Sequence, residues 1–181
     1  MTYVAPNPSD EYVFTALRSF LLDQAVPSMT EVIQSNDDRV SPPPVPYVVM
    51  NAVSKTRIST NISSVSTSII GSHTVTSLTL MKPTRYNFQL DVVGDLAADW
   101  AEVISMLWFG GTASEFLAAY GIAPLYNDDP KYAPWINDSN QWEQRWIVRL
   151  CLQFNPALII PVGSFASAEV GVVDVQTFPL I

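Results

Sequence analysis

The chain has 181 residues, 48% of them hydrophobic and 14% charged, and its 17 acidic side chains outnumber 9 Lys and Arg to leave a net charge of −8. This size suits one folded domain with extended arms, and the apolar content is well above that of a disordered chain. The acidity excludes a protein whose main task is to grip nucleic acid, because phosphate contacts need clustered cations, and the single cysteine, Cys151, excludes an intrachain disulfide.

The opening residues carry neither the basic nor the apolar segment of a signal peptide, and no apolar run approaches the ~20 residues that span a bilayer. A soluble protein, made inside the cell and without a membrane partner, is the expectation. Pro6 and Pro8 oppose helix, so the first residues read as an extended arm. Ser9 or Asp10 is a suitable N-cap. Beyond it Val13, Ala16, Leu17, Phe20 and Leu21 recur at steps of three and four, which predicts a helix with one apolar stripe, limited by Pro27. Residues 29–33 read as a further helical turn and Asn36-Asp37-Asp38 as a turn. The prolines between 42 and 46 make a stiff lead-in to a Val-rich buried strand over 47–53.

From residue 56 to 81 Ser and Thr dominate, with scattered Ile and Val. Residues 61–70, a Gly71-Ser72 connection and residues 73–81 read as two strands, too thin in apolar content for a core hairpin. The reading is an extended β-hairpin arm that gains its burial from a neighbour. In 84–93, Tyr86, Phe88, Leu90 and Val92 alternate with Arg85, Asn87, Gln89 and Asp91, the period of a strand with two unlike faces. Asp95 is a plausible N-cap for a helix with the stripe Trp100, Val103, Ile104 and Leu107, ended by Gly110-Gly111. Thr112 to Glu115 has the capping-box spacing and opens a short helix through Phe116, Leu117 and Tyr120, closed by Gly121.

Residues 122–140 form a long connection with Pro124, Pro130, Pro134, the pair Asp128-Asp129, and Tyr126, Tyr132 and Trp135. Three large aromatics argue for an ordered loop. Residues 141–155 carry the longest alternation: Trp142, Trp146, Val148, Leu150, Leu152 and Phe154 share one side, with Glu143, Arg145, Arg149 and Cys151 on the other. Six large apolar side chains, each contributing roughly 1.5–3 kcal/mol when buried, can anchor a core. If 84–93 lies beside this strand, Asp91 faces Arg145 or Arg149. Residues 157–162 and 170–176 are further β-prone runs, and the chain ends on apolar Phe178-Pro179-Leu180-Ile181. The expected fold is α+β: a central mixed, mainly antiparallel β-sheet with helices packed on one face and an extended β-hairpin arm. It is read as a single domain over 1–181, with the arm at 56–82 and a C-terminal extension at 157–181.

Catalytic machinery is not legible. There is no phosphate-cradling Gly-rich loop. His73, the only histidine, is isolated in a Ser/Thr stretch, which offers neither a zinc site nor the base of a triad. Cys151 lies mid-strand and reads as structural. Asp128, Asp129, Asp138 and Glu143 leave one enzymatic alternative, a small acid/base hydrolase, although loop carboxylates usually do no more than meet water. No catalytic, cofactor or metal residue is assigned.

Three blocks carry a family resemblance. They are Arg57-Ile-Ser-Thr-Asn61 after the 47–50 strand, Tyr86-Asn-Phe-Gln-Leu-Asp-Val-Val-Gly94 leading to Ala98-Asp99-Trp100, and Gly121-Ile-Ala-Pro-Leu-Tyr-Asn-Asp-Asp-Pro130 with Trp135-Ile-Asn137 and Gln141-Trp-Glu-Gln-Arg-Trp146 through to Pro156. In order and spacing the chain resembles the neck terminator proteins of tailed bacteriophages, across about residues 47–161. The resemblance implies a structural virion protein, assembled in the host cytoplasm. It implies a ring, commonly of six subunits, that ends tail-tube growth and joins the tail to the head-completion or connector complex. The implied partners are further copies of the chain, the connector protein and the tail tube protein, with a sheath as a further neighbour and DNA only passing through the channel. Another virion adaptor, in the tube or baseplate, is the remaining alternative. Within the ring reading, the residues expected at interfaces are Arg57, Asp128, Asp129, Trp135 and Arg145.

Overall fold

Ten residues of strict alternation, 84–93, become the middle of a six-stranded sheet. The structure is a computed structural model that describes residues 7–27, 30–35, 43–70, 73–136 and 140–162. The Asn36 turn, the Gly71-Ser72 connection, the side chain of His73, Asp138 and everything after Val162 lie outside the described residues.

Helix α1 (Asp10–Phe20) starts where the sequence predicts, with Ser9 Oγ accepting from the Tyr12 amide, and it continues as a π turn to Ala25. Its stripe Val13, Ala16, Leu17, Phe20 and Leu21 is buried throughout. The expected helical turn at 29–33 is not one: β1 (Glu31–Gln34) is a strand that pairs in parallel with β2 (Tyr47–Arg57). Four residues are too few for a period to separate the two readings.

Strand β2 begins buried and runs beyond the predicted 53 to Arg57, exposed from Ala52 onward, with a register shift that pushes Val53 outward. Strands β3 (Ile62–Ile70) and β4 (His73–Met81) form the predicted arm, and β5 (Thr84–Val93) returns along β2. Helix α2 (Ala97–Phe109) is entered through Leu96 rather than capped by Asp95: the Ala97 amide donates to Gly94 O. Its buried side is Ala97, Trp100, Ala101, Ile104, Ser105 and Trp108, so Val103 turns outward instead of joining the stripe. Helix α3 (Gly111–Ala118) has Gly110 as its N-cap and no side-chain cap, two residues ahead of the expected cap Thr112.

The described residues of the 122–140 connection contain three short strands, β6 (Ala123–Asn127), β7 (Lys131–Tyr132) and β8 (Trp135–Ile136). The long alternation splits at Gln144 into β9 (Trp142–Glu143), paired with β8, and β10 (Arg145–Phe154). Trp142 therefore leaves the core stripe and is 72% exposed. The body sheet runs β1-β2-β5-β10-β6, with β7 also on β10, and its one parallel pair is β1 with β2. Tyr86, Phe88, Leu90, Val92, Val148, Leu150, Leu152 and Phe154 meet the helices on one face. The opposite face carries Asn87, Gln89, Asp91, Ile147 and Arg149, as alternation requires. Asp91 stands opposite Ile147, not an arginine, and accepts from Asn51 and Gln89. The architecture is thus α+β with helices on one face of a mixed, mainly antiparallel sheet.

Candidate assembly surfaces

The arm is broader than a hairpin. Strand β11 (Ala157–Val162) pairs along β4, giving a second sheet in the order β11-β4-β3. Three strand lines therefore cross from the body into the arm at one level. The Ile58 amide donates to Pro83 O and the Lys82 amide to Pro156 O at that crossing, and Asn7 exchanges both backbone bonds with Ala157. Register places Val65, Leu78 and Ile160 in one row, with Ser63, Leu80 and Leu158 next on the same face. Ile62, Met81 and Ala157 begin the other face. Serine and threonine rungs stitch the ladder, Ser66 to Ser77 at 3.0 Å and Thr67 to Thr76 at 3.3 Å between hydroxyl oxygens.

Among the described residues no core lies under this sheet. Ile62, Val65 and Ile69 are 55%, 67% and 79% exposed. From Ile58 to Met81 the sequence has no charged side chain. Free strand edges are ordinarily blunted with charges or proline, and β3 has neither. At the root of the arm a hollow of about 420 Å³ is lined by Asp10, Lys55, Leu80, Lys82, Phe154 and Leu158 among others. Lys55 pairs with Asp10 there, and its Nζ stands 4.7 Å from the centre of the Tyr86 ring.

The second surface is the aromatic connection. Tyr132 packs its ring 5.5 Å from Trp146. Trp135 Nε1 donates to Glu143 Oε2 at 3.1 Å across the β8–β9 ribbon, and Arg145 Nε donates to Ala133 O at 2.9 Å. Asp128 is half-buried, its amide held by Arg149 O, while Asp129 is exposed. Beside it a hollow of about 280 Å³ contains Tyr126, Asp128, Arg149 and Cys151. Burial raises the Cys151 thiol pKa, against the pull of its Tyr126 hydrogen bond and of Arg85.

The five sequence-predicted interface residues thus divide between two places. Trp135 and Arg145 come together in the β8–β9 region, with Asp128 and Asp129 along the same connection. Arg57 pairs with Thr84 at the other end of β5 from Val93, the partner of Arg145. Nine residue steps of ~3.4 Å separate those ends by about 30 Å. A third surface escaped the sequence reading: on α2, Leu96, Met106 and Phe109 are 54%, 67% and 67% exposed.

Among the described residues, Asp128 and Glu143 do not meet in one hollow. The hollow beside Cys151 holds one carboxylate, Asp128, while Glu143 is engaged with Trp135. Among the described residues there is no group of three His, Cys, Asp or Glu side chains that could hold a metal, and no helix long and apolar enough to cross a membrane. A family model described as Phage neck terminator protein matches residues 11–177.

The chain belongs to the phage neck terminator protein family. That match spans the helices, both sheets and the aromatic connection together. As a neck terminator family member the chain is a structural component of the virion, and its partners are other virion proteins. The family is not one of enzymes, which sets aside the acid/base hydrolase alternative. No curated protein matches the chain.

Proposed function

We propose that this protein is the subunit of a ring, hexameric as in the related terminators, that ends growth of the tail tube and joins the tail to the connector complex of the head. The observation that supports it most is the arm: an uncharged three-stranded sheet with β3 exposed from Ile62 to Ile69. Such a sheet leaves apolar side chains and an unblunted edge in water, and contact with a neighbouring subunit removes both. In this reading Arg57 marks the arm-root interface, and Asp128, Asp129, Trp135 and Arg145 mark a second interface on the aromatic connection. Tube and connector proteins, with a sheath where the tail contracts, occupy the two ends of the ring.

DNA passes through and is not held. A net charge of −8 suits that role, because an acidic wall repels phosphates.

The test is mass by light scattering, for the protein alone and with tail tubes of the cognate phage. A hexamer, or rings capping tube ends, is expected. Replacing residues 65–78 by an Asn-Gly turn is a symmetric cut, because Val65 pairs with Leu78. It is expected to leave the body folded and to abolish assembly. Rings that form without the arm, or a chain that stays single beside tubes, would overturn the reading.

A further inference from the structure

We propose that the helix-side face of the arm sheet receives the outward face of α2 from the next copy of the chain. This rests on the ring reading above and names the two surfaces that close it.

The first observation is the arm face itself. Within one chain the body sheet has its apolar face covered by helices, whereas the arm sheet carries a comparable row, Val65, Leu78 and Ile160, with Val65 67% exposed. A sheet face of this kind is completed by a helix or a second sheet. It is continuous with the helix-bearing side of the body, since Leu80 and Leu158 share one hollow with Phe154.

The second observation is α2. This helix is apolar on both sides, and Val103, Met106 and Phe109 face water. At 100° per residue Asp99 and Glu102 fall between them, also exposed. The helix is 13 residues long, about 20 Å at 1.5 Å per residue. The nine residues of β3 extend about 30 Å, so the arm can lie along the whole helix.

Charge selects the pairing. Neither α2 nor α3 has a basic residue, and Asp95, Asp99, Glu102 and Glu115 are their acids and those of the α2 entry. Lys55 is paired with Asp10, so the charges of the arm over 56–82 are Arg57 and Lys82, both cationic and both at the root. An acidic, apolar helix face thus meets an apolar sheet flanked at its root by Arg57 and Lys82. The contact joins two different surfaces, so repetition gives a head-to-tail series that closes into a ring, as a terminator requires.

Cross-linking between single-cysteine proteins tests it, on a Cys151→Ser background. Val65→Cys and Met106→Cys both replace exposed side chains. Mixed, assembled on tail tubes and oxidised with copper, they are expected to give a disulfide-linked dimer containing one of each. Both changes in one chain are expected to give a ladder up to the full ring. Ile69→Cys with Val103→Cys is the second pair. In parallel, Met106→Glu with Phe109→Glu is expected to shift the assembled mass to that of a single chain, with an unchanged circular-dichroism melt. Rings in which neither pair links, or in which Val65→Cys links only to itself or to another virion protein, overturn this inference and leave the ring standing. A wild-type chain that never assembles overturns both.

Discussion

Asn127 Nδ2 donates to Ser105 Oγ at 2.7 Å inside the protein, tying strand β6 to helix α2. Both residues are buried, and the Trp108 indole reinforces the link by donating to Tyr126 O. The start of the aromatic connection is therefore fixed to the helical layer before the chain reaches its exposed part. Changing Asn127 to Ala strands the Ser105 hydroxyl, so a loss of about 1–3 kcal/mol is expected from urea denaturation. Changing both, Asn127→Leu with Ser105→Ala, removes the polar pair and should cost less than the single change. A double variant no more stable than Asn127→Ala would contradict this account.

Two glycines hold turns that other residues resist. Gly94, at φ +136°, links β5 to α2, and a Cβ there would stand 3.1 Å from Pro46 Cβ. Gly121, at φ +67°, closes α3 with nothing within 4 Å of an added Cβ. Gly121→Ala bears only the left-handed backbone cost, roughly 1–2 kcal/mol. Gly94→Ala adds a steric clash and is expected to be the more destabilising of the two. Equal denaturation midpoints would show that Pro46 gives way.

The periodicity of the two long strands was enough to read the body sheet, because each buries one face against helices over most of its length. It misled at Trp142, where alternation continues through Gln144 although the backbone leaves the sheet there. Nothing in Glu31–Gln34 announces a strand, since its pairing with β2 is parallel and non-local. The arm was legible from its Ser/Thr composition, but its third strand was not: the run 157–162 looks β-prone without naming β4, some 76 positions earlier, as its partner. For α2 the difficulty was the reverse. A helix with apolar residues on both sides does not say which one faces the core, and Val103 turns to water instead of joining Trp100 and Ile104.

Arg145 is expected to order the aromatic connection. It holds Ala133 twice, Nε to the carbonyl and its own backbone oxygen to the amide, both at 2.9 Å. Arg145→Ala removes the charged donor, a bond worth about 1.5–3 kcal/mol. Amide exchange at Ala133 and in Trp135–Ile136 is expected to quicken, with Leu90 in the body sheet unchanged. Lysine should not restore it, because the bond is made by the guanidinium Nε. Uniform acceleration through the sheet would mean that Arg145 supports the whole fold instead of the connection.

Stability is expected to fall in alkali for a traceable reason. Burial first, and the Asp10 carboxylate second, push the Tyr86 hydroxyl from 10.0 up to about 12. Burial also raises Tyr47, with Glu143 adding to it, and Cys151. In all three the neutral form is the one the fold accommodates. A raised folded-state value means that the stability is fully present below the ordinary pKa and is lost as pH rises through the folded one. The urea midpoint should therefore be flat near neutral pH and decline from about pH 9 upward, where the unfolded groups ionise first. Tyr86→Phe should flatten the part of that decline between 10.0 and about 12, and native Cys151, 2% exposed, should react with thiol reagents only after unfolding. An alkaline slope that survives Tyr86→Phe unchanged would move its origin away from the floor beneath Lys55.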